Sequence, residues 1–555
     1  MLRNYASYAA GLSGITATII FADAISDPTT AFFLALTRVG EICIGIGAAA
    51  LVALLTENAA AARQLSNTLE STTNQLIRGF GDSLDPAHAN ADQTVIRHDI
   101  VRSLGLLRNQ VDAAVGESSY LHSRRGNMRL TLEHLLAALV GWRNIDHLGS
   151  ADEDQIHEAK AKAHRMVTDL DGVRSKSDHT TFARTCRTAL AELECSEHEC
   201  PGAQIVTDGL IEIIRFLEAT GDCQALLGVE GSPAREGRFW LPLAMDPLPI
   251  LLAGLRVFAA VLLTSIFWVE TAWSIGQFCI VFAAIATLVF ASFGDEARAL
   301  SLDYSTGASL MVAVGGVIYF AILPALNSYP ELLSVLMIFL AVVGFMQAGK
   351  WHSVIFLAMS VCCLPILGIG NPPVYNATNY FNLSSAILVG SVFGTVMFAV
   401  FPTISPLVRE RRLIARSQSD LRAMLRDTTP ISPLRWIRAH AASLCALPPG
   451  SSDAQFTELV AISAASRSIS RLRRQMASYS ELSTLQCTFE DLAEGKLLKA
   501  EQGIKQMDEL AASPAISAPR TTSIHVRAEL RVLLDIIKAH GSLFRPDFAV
   551  SQNHP

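Results

Sequence analysis

Apolar positions along this chain follow two different rules. In the first, they run on without a charge: residues 271–294, 304–330, 332–349 and 353–408 contain no Asp, Glu, Lys or Arg. Such runs can cross ~30 Å of hydrocarbon, which takes about 20 helical residues. In the second, they recur every three or four positions, as in DQTVIRHDIVRSLGLLRNQVDAAV, MRLTLEHLLAALVGW and AQIVTDGLIEIIRFLEA. That spacing puts them on one face of an amphipathic helix. No convincing alternation with period two appears, and the apolar runs are too long for barrel strands.

The pattern predicts an all-α integral membrane protein with eight transmembrane helices. They fall at roughly 5–22, 31–55, 248–269, 272–292, 303–323, 332–348, 353–370 and 382–401. Four regions follow: 1–56 with two membrane helices, 57–245 as a helical polar domain, 246–402 with six membrane helices, and 403–555 as a C-terminal helical domain. Gly- and Pro-rich linkers, GVEGSPAREGRFWLPLAMDPLP and RDTTPISPLRW, break helices on either side of the six-helix block. A membrane block followed by a polar block, twice, suggests two parallel halves, the first short by four helices.

Composition agrees: half of the residues are hydrophobic and only 17% are charged, with a mean hydropathy of +0.34. The net charge of −7 gives no general attraction to nucleic acid. Charge position also orients the chain. The connections ADAISDPTT, VETAW, PALNSYPE and NPPVYNATNYF lack Lys and Arg, whereas the other set holds Arg3, Arg298, Lys350 and VRERRLIAR. Positive residues stay inside, so both termini and both polar regions are expected in the cytoplasm. There the ten scattered cysteines stay reduced. A cleaved signal peptide is not expected, because the N-terminal apolar segment has almost no basic lead and a second span follows at once.

Two charges break the pattern. ALTRVGEICIGIGAAALVALL, residues 35–55, reads as a span yet contains Arg38 and Glu41. Each costs about 2.5–3.5 kcal/mol near the bilayer centre, so an intramembrane ionisable group is by default a functional-site candidate. At ~1.5 Å per residue Arg38 lies about 10 Å below the outer face and Glu41 near mid-bilayer, one turn apart and able to pair. Arg256 enters about 12–15 Å from the other side. The planar guanidinium fork suits a substrate carboxylate, and Glu41 could exchange a proton as it competes for Arg38. The plainer alternatives are a salt bridge that only fixes packing and, for Arg256, a side chain reaching the headgroups.

Trp268, Thr271 and Trp273 mark the outer end of the third helix, either as an interfacial anchor or as a stacking surface for an aromatic ring. Asn371, Tyr375, Asn379 and Asn382 could offer uncharged hydrogen bonds near an outer exit, or simply cap loops. GFMQAGKW misses the phosphate-loop pattern because Trp351 replaces the required Ser or Thr. ECSEHEC brings Cys195, His198 and Cys200 close, with Cys186 nearby, but the spacing fits no standard zinc site. No catalytic signature is present, so neither an enzyme nor a cofactor is expected.

Several of these stretches resemble the fusaric acid resistance family, inner-membrane exporters that include aromatic carboxylic acid efflux proteins. YAAGLSGITATIIFADAISDP followed by ALTRVGEICIGIGAAALV is similar to the last two helices of that family's first membrane half, with Arg38, Glu41, Ile42 and Gly45 in its R-x-x-E-I pattern. LRVFAAVLLTSIFWVETAWSIGQ resembles the opening of the second half, with Arg256 and then Trp268, Thr271, Trp273 and Gly276 in a W-x-x-T-x-W-x-x-G turn. YNATNYFNLSSAILVGSVFG resembles the closing helix, with Asn382 and Gly390. By this resemblance the chain begins at the family's fifth helix.

The resemblance implies a bacterial inner-membrane exporter of fusaric-acid-like or other aromatic carboxylic acids. No better nucleotide motif appears, so the proton gradient is the expected energy source. A periplasmic adaptor and a homo-oligomer are the implied protein partners, beside the lipid bilayer. Two other readings stand beside it: a passive organic-anion channel, and a membrane-anchored scaffold or sensor working through its cytoplasmic helices. A channel would tolerate Glu41→Gln, whereas a proton-coupled carrier would not.

Overall fold

A computed structural model describes residues 5–545 apart from 26–27, 57–59, 85–92, 118, 149–152, 196–199, 229–246, 350, 371–374, 428–442, 445–446, 448–450, 478–481 and 514–519. The two Gly- and Pro-rich linkers fall almost wholly outside the described residues. All regular structure among the described residues is helical. The chain divides into two compact units, Met1–Thr56 with Met245–Ser405, and Glu57–Ala244 with Pro406–Pro555.

The first unit is apolar. It begins with α1 (Tyr5–Ala24) and α2 (Ala31–Thr56), joined through a 3-10 turn at Pro28–Thr30. The chain then leaves for the second unit through α3 (Ala60–Leu84), α4 (Gln93–Glu117), α5 (Ser119–Ser123), α6 (Arg125–Asp146), α7 (Glu153–Arg174), α8 (His179–Glu194) and α9 (Pro201–Gly228). It returns through α10 (Pro247–Thr271), α11 (Gln277–Phe290), α12 (Ala297–Val317), α13 (Tyr329–Gln347), α14 (Ser353–Leu367) and α15 (Ala377–Val400). The second unit is completed by α16 (Pro406–Arg426), α17 (Asp453–Met476), α18 (Leu482–Ala493), α19 (Leu497–Ala512) and α20 (Arg520–His540).

Among the described residues, five helical stretches are long and apolar enough to cross a membrane: Pro28–Val52, Leu248–Thr271, Ala297–Ala325, Tyr329–Gln347 and Ala377–Val400. Three apolar helices are shorter: Ala9–Ala24, Gln277–Phe290 and Ser353–Leu367. Local chemistry accounts for the departures from the expected limits. The fourth span begins at Gln277 instead of 272 because Ala272 takes φ 45° and the chain turns through Trp273–Gly276. Pro365, followed by Gly368 at φ 50°, ends α14 early. The last span starts sooner, at Ala377, because the Asn376 side chain accepts from the Thr378 and Asn379 amides and caps it. Beyond α12 the chain continues through a π-helical turn, Ile318–Ile322, and a 3-10 turn, Leu323–Ala325.

Lipid supplies no hydrophobic force between membrane helices, so tight packing rests on small residues and internal hydrogen bonds. α11 and α15 show this directly. A Cβ at Gly390 would lie 2.4 Å from the Cys279 carbonyl oxygen, so only glycine permits that backbone approach. α12 packs on both α14 and α15, and α1 packs on α11. α2 lies at the margin, against α1 and the Pro28–Thr30 turn, with no residue of its apolar window buried.

The second unit has one hydrophobic core drawn from both of its chain segments. Phe80, Trp142 and Phe216 come from the earlier segment, Phe456, Phe489 and Phe544 from the later one. Burying a large side chain contributes roughly 1.5–3 kcal/mol. Beside that core lies an ionic cluster joining α9, α17 and α20. Arg471 reaches Asp208 at 2.7 Å and Glu529 at 2.9 Å, Arg467 pairs with Glu212, and Ser468 donates to Glu529. Burial alone would push Asp208 and Glu212 up; the Arg471 and Arg467 guanidiniums outweigh it and hold both below the usual carboxylate range. The cluster joins helices drawn from both chain segments of this unit.

Candidate functional site

The α1–α2 hairpin of the membrane unit carries a cluster of three charges. Arg38 Nη1 donates to Glu41 Oε2 at 2.8 Å, one turn along α2. Its Nη2 lies 3.4 Å from Asp23 Oδ2 in the last turn of α1. One guanidinium therefore stands between two carboxylates, with the Arg38 side chain 37% exposed and Glu41 54%. Asp23 was missed in the sequence reading, which weighed only charges inside spans. A signal was there: an acidic side chain at a helix C-terminus opposes the helix dipole and calls for a cation from elsewhere.

Arg256 sits apart from this trio and has its own partners. Only 2% exposed, it donates through Nε and Nη2 to the Phe401 carbonyl at 3.0 and 2.7 Å. Its guanidinium also lies 4.3 Å from the Phe398 ring centroid. A cation here meets the negative end of the α15 dipole and satisfies an otherwise orphaned carbonyl. Arg256 thus ties the start of the six-helix block to its end.

The turn after α10 is held by its tryptophans. Trp268 Nε1 donates to the Trp273 carbonyl at 2.7 Å, and the indole covers Gly276 so closely that a Cβ there would lie 2.1 Å from it. Thr271 Oγ1 donates back to the Phe267 carbonyl at 2.7 Å. Trp273 meets Phe267 edge to face at 6.4 Å. Both indoles are half-buried, and the Trp268 N–H is committed to the turn.

At the same end of the unit an aromatic cluster surrounds the π-turn. Tyr319 packs 4.9 Å from Tyr380 and 5.6 Å from Tyr375, while Phe320 lies 5.2 Å from Tyr380. Tyr375 Oη donates to the Leu323 carbonyl at 3.1 Å, Tyr380 Oη to the Val312 carbonyl at 2.6 Å, and Tyr319 Oη accepts from the Asn376 amide at 2.9 Å. Asn379 is exposed and gives its amide to the Asn376 cap; Asn382 is half-buried on α15. Asn371 lies outside the described residues. Tyr319, Phe320 and Tyr380 escaped the sequence reading, since a π-turn has no composition of its own. π-turns inside helices are frequent at functional sites.

Between α12 and α15 lies a buried hydroxyl ladder, also missed. Thr395 Oγ1 sits 2.8 Å from both Ser301 Oγ and Ser305 Oγ, and Ser305 Oγ donates to the Ser391 carbonyl at 3.2 Å. Hydroxyls spaced four apart on two largely apolar helices were the available signal. Near one end of the ladder, His352 Nδ1 lies 2.9 Å from Asp303 Oδ2, with His352 held at φ 42°.

The sparse metal candidate gains no geometry. Cys195 is exposed, Cys200 is buried with its sulfur accepting from the Ala203 amide, and His198 lies outside the described residues. Among the described residues no group of three or more His, Cys, Asp and Glu side chains is placed to hold a metal ion.

Comparison with known proteins agrees with this architecture. The model of the fusaric acid resistance protein family matches residues 1–542. Similar proteins include the p-hydroxybenzoic acid efflux pump subunits AaeB of Edwardsiella ictaluri, 24% identical over 414 residues, and of Edwardsiella tarda, 23% identical over 411 residues. Each alignment covers 72% of this chain and 60% of the relative. The subunit of Pantoea ananatis is 23% identical over 426 residues, covering 74% and 62%. The chain therefore spans about three-fifths of the length of these relatives. No solved structure matches.

Proposed function

The chain belongs to the fusaric acid resistance protein family, and from that premise we propose that it exports small aromatic carboxylic acids across a bacterial inner membrane at the expense of the proton gradient. The observation that carries the mechanism is Arg38 held between Glu41 and Asp23 on two apolar helices. With the connections that lack Lys and Arg on the outside, the trio would open toward the outer half of the bilayer.

One guanidinium cannot fully satisfy two carboxylates, so the trio has room for one proton. A proton arriving from outside on Glu41 or Asp23 weakens that carboxyl's hold on Arg38. The freed edge of the guanidinium then donates a two-pronged hydrogen bond to the carboxylate of an outgoing acid. Loss of the proton inward restores the internal pair and expels the acid. Occupation of Arg38 by either carboxyl or substrate, never both fully, is what couples the two movements. Arg256 and Trp268 hold helix ends in this scheme, and the Tyr319–Tyr375–Tyr380 cluster offers aromatic surface where the ring would leave. The relatives are named as pump subunits, which supports a partner such as a periplasmic adaptor, with self-association of the membrane unit also possible to test by cross-linking.

The test is intracellular accumulation of labelled p-hydroxybenzoate and fusaric acid in an exporter-deleted strain expressing this chain, beside Glu41→Gln. Lower accumulation with wild type alone supports proton-coupled export. Equal export by Glu41→Gln overturns coupling and leaves an anion channel. No export by either, with the protein in the membrane, removes transport by this chain alone and leaves a scaffold or sensor.

A further inference from the structure

The helix that follows the last span carries charge that transport does not use. α15 ends at Val400 and α16 begins at Pro406, and the residues between them can reach at most about 20 Å. α16, PLVRERRLIARSQSDLRAMLR, contains six arginines and two acids. One of the acids, Glu410, is 2% exposed and turns inward with Leu413, Ser417, Leu421 and Leu425. This inward face packs on α17 and α18.

The arginines take the other side. At 3.6 residues per turn Arg409, Arg411, Arg412, Arg416, Arg422 and Arg426 fall on one half of the helix circumference, clear of the inward face. Arg411, Arg412, Arg416 and Arg426 are exposed, and Arg409 and Arg422 are half-buried. Asp420 is the one acid of α16 exposed beside them. Leu407, 65% exposed, and Val408, 46% exposed, lead the row at the end nearer the span. A side chain reaching back to the headgroups from a helix end needs only the first turn. Here the row continues from Arg409 to Arg426, about 25 Å at 1.5 Å per residue.

We propose that α16 lies along the leaflet from which α15 emerges and binds anionic lipid headgroups, with Leu407 and Val408 entering the acyl boundary. A basic row on an amphipathic helix beside a span is drawn to a negative leaflet surface, and each arginine near it adds about fivefold to the affinity. The guanidinium fork also matches a lipid phosphate. Nucleic acid offers phosphates as well, but it has no apolar layer for Leu407 and Val408. A chain of net charge −7 also gives an extended polyanion no general attraction. Because α16 packs on α17 and α18, lipid bound to its outward face bears on the helical unit and not on the substrate path.

The experiment is native mass spectrometry of the full-length protein from non-ionic detergent. Phosphatidylglycerol and phosphatidylcholine with the same acyl chains are offered in equal amounts. Wild type is expected to prefer phosphatidylglycerol, and less so as salt rises. Arg411→Gln combined with Arg412→Gln is expected to weaken phosphatidylglycerol binding about 25-fold, and Arg426→Gln, at the far end of the row, about fivefold. Lys505→Gln removes a cation outside the row and is expected to change nothing. Equal binding of the two lipids by wild type overturns the proposal. So does unchanged binding by Arg426→Gln, which leaves only an anchor at the end of the span. An equal loss in Lys505→Gln overturns it too, because binding then follows overall charge. Should the double variant prove unstable, Arg426→Gln decides. Lipid binding is read without transport, so export can fail while this surface stands, and the reverse.

Discussion

Arg256 on α10 donates two hydrogen bonds to the main-chain carbonyl of Phe401, 145 residues later, and in doing so closes the six-helix block on itself. Arg256→Met leaves that carbonyl buried without a donor and removes the contact with the Phe398 ring. The expected loss is about 2–3 kcal/mol, read as a lower unfolding midpoint in detergent. Arg256→Lys should recover part of it, since an ammonium cannot reproduce the two-pronged contact. Efflux per folded molecule should change little. A collapse of efflux at normal stability would return Arg256 to the substrate path.

Asp23 is expected to matter nearly as much as Glu41. Asp23→Asn leaves Arg38 with one full carboxylate, so the internal pair tightens and yields less readily to substrate. Efflux of labelled p-hydroxybenzoate should fall about tenfold at unchanged protein level, comparable with loss of one charge-assisted hydrogen bond. Wild-type efflux from Asp23→Asn would remove it from the coupling scheme.

How much of this was visible in the sequence depends on distance along the chain. Charge-free runs and helical spacing marked the apolar and amphipathic helices, and the three-residue step from Arg38 to Glu41 named a contact because a helix turn fixes it. Asp23, Tyr380 against Tyr319, and Thr395 against Ser305 meet only through the packing of separate helices, which no local pattern encodes. Arg143 was the least visible of all. On an amphipathic helix it reads as one more surface charge, and only the tertiary structure buries it.

Acid should weaken the second unit through His147. Burial, Arg143 and Arg97 push its pKa from 6.5 to about 4, so the unfolded chain takes up a proton that the folded one refuses. Stability from this group is complete above pH 6.5 and is lost as pH falls toward 4. Asp535, pushed up by burial, acts oppositely: its contribution is present at acid pH and lost as pH rises through its folded value. Thermal unfolding followed from pH 7.5 to 4.5 should show a falling midpoint, and His147→Gln should flatten it. An unchanged slope in the variant would assign the acid sensitivity elsewhere.

The ionic cluster should be far less tolerant than the surface pairs. Arg471→Met leaves Asp208 and Glu529 without their closest cation in a buried site, an expected loss of about 3–5 kcal/mol. Lys505→Ala, which breaks a solvent-screened pair with Glu501, should shift the midpoint far less. Denaturant midpoints of the two variants side by side would check the contrast, and equal midpoints would refute it.

The shared core of the second unit also sets an order of events during synthesis. α9 ends at Gly228, yet α20, whose Glu529 shares Arg471 with Asp208 of α9, begins at Arg520. At about 5–20 residues per second, a ribosome needs roughly 15–60 s to make the intervening chain. Throughout that interval Phe80, Trp142 and Phe216 wait beside half a core while six apolar helices enter the bilayer. Arrival of α20, not insertion of the membrane helices, is therefore the step that completes this core.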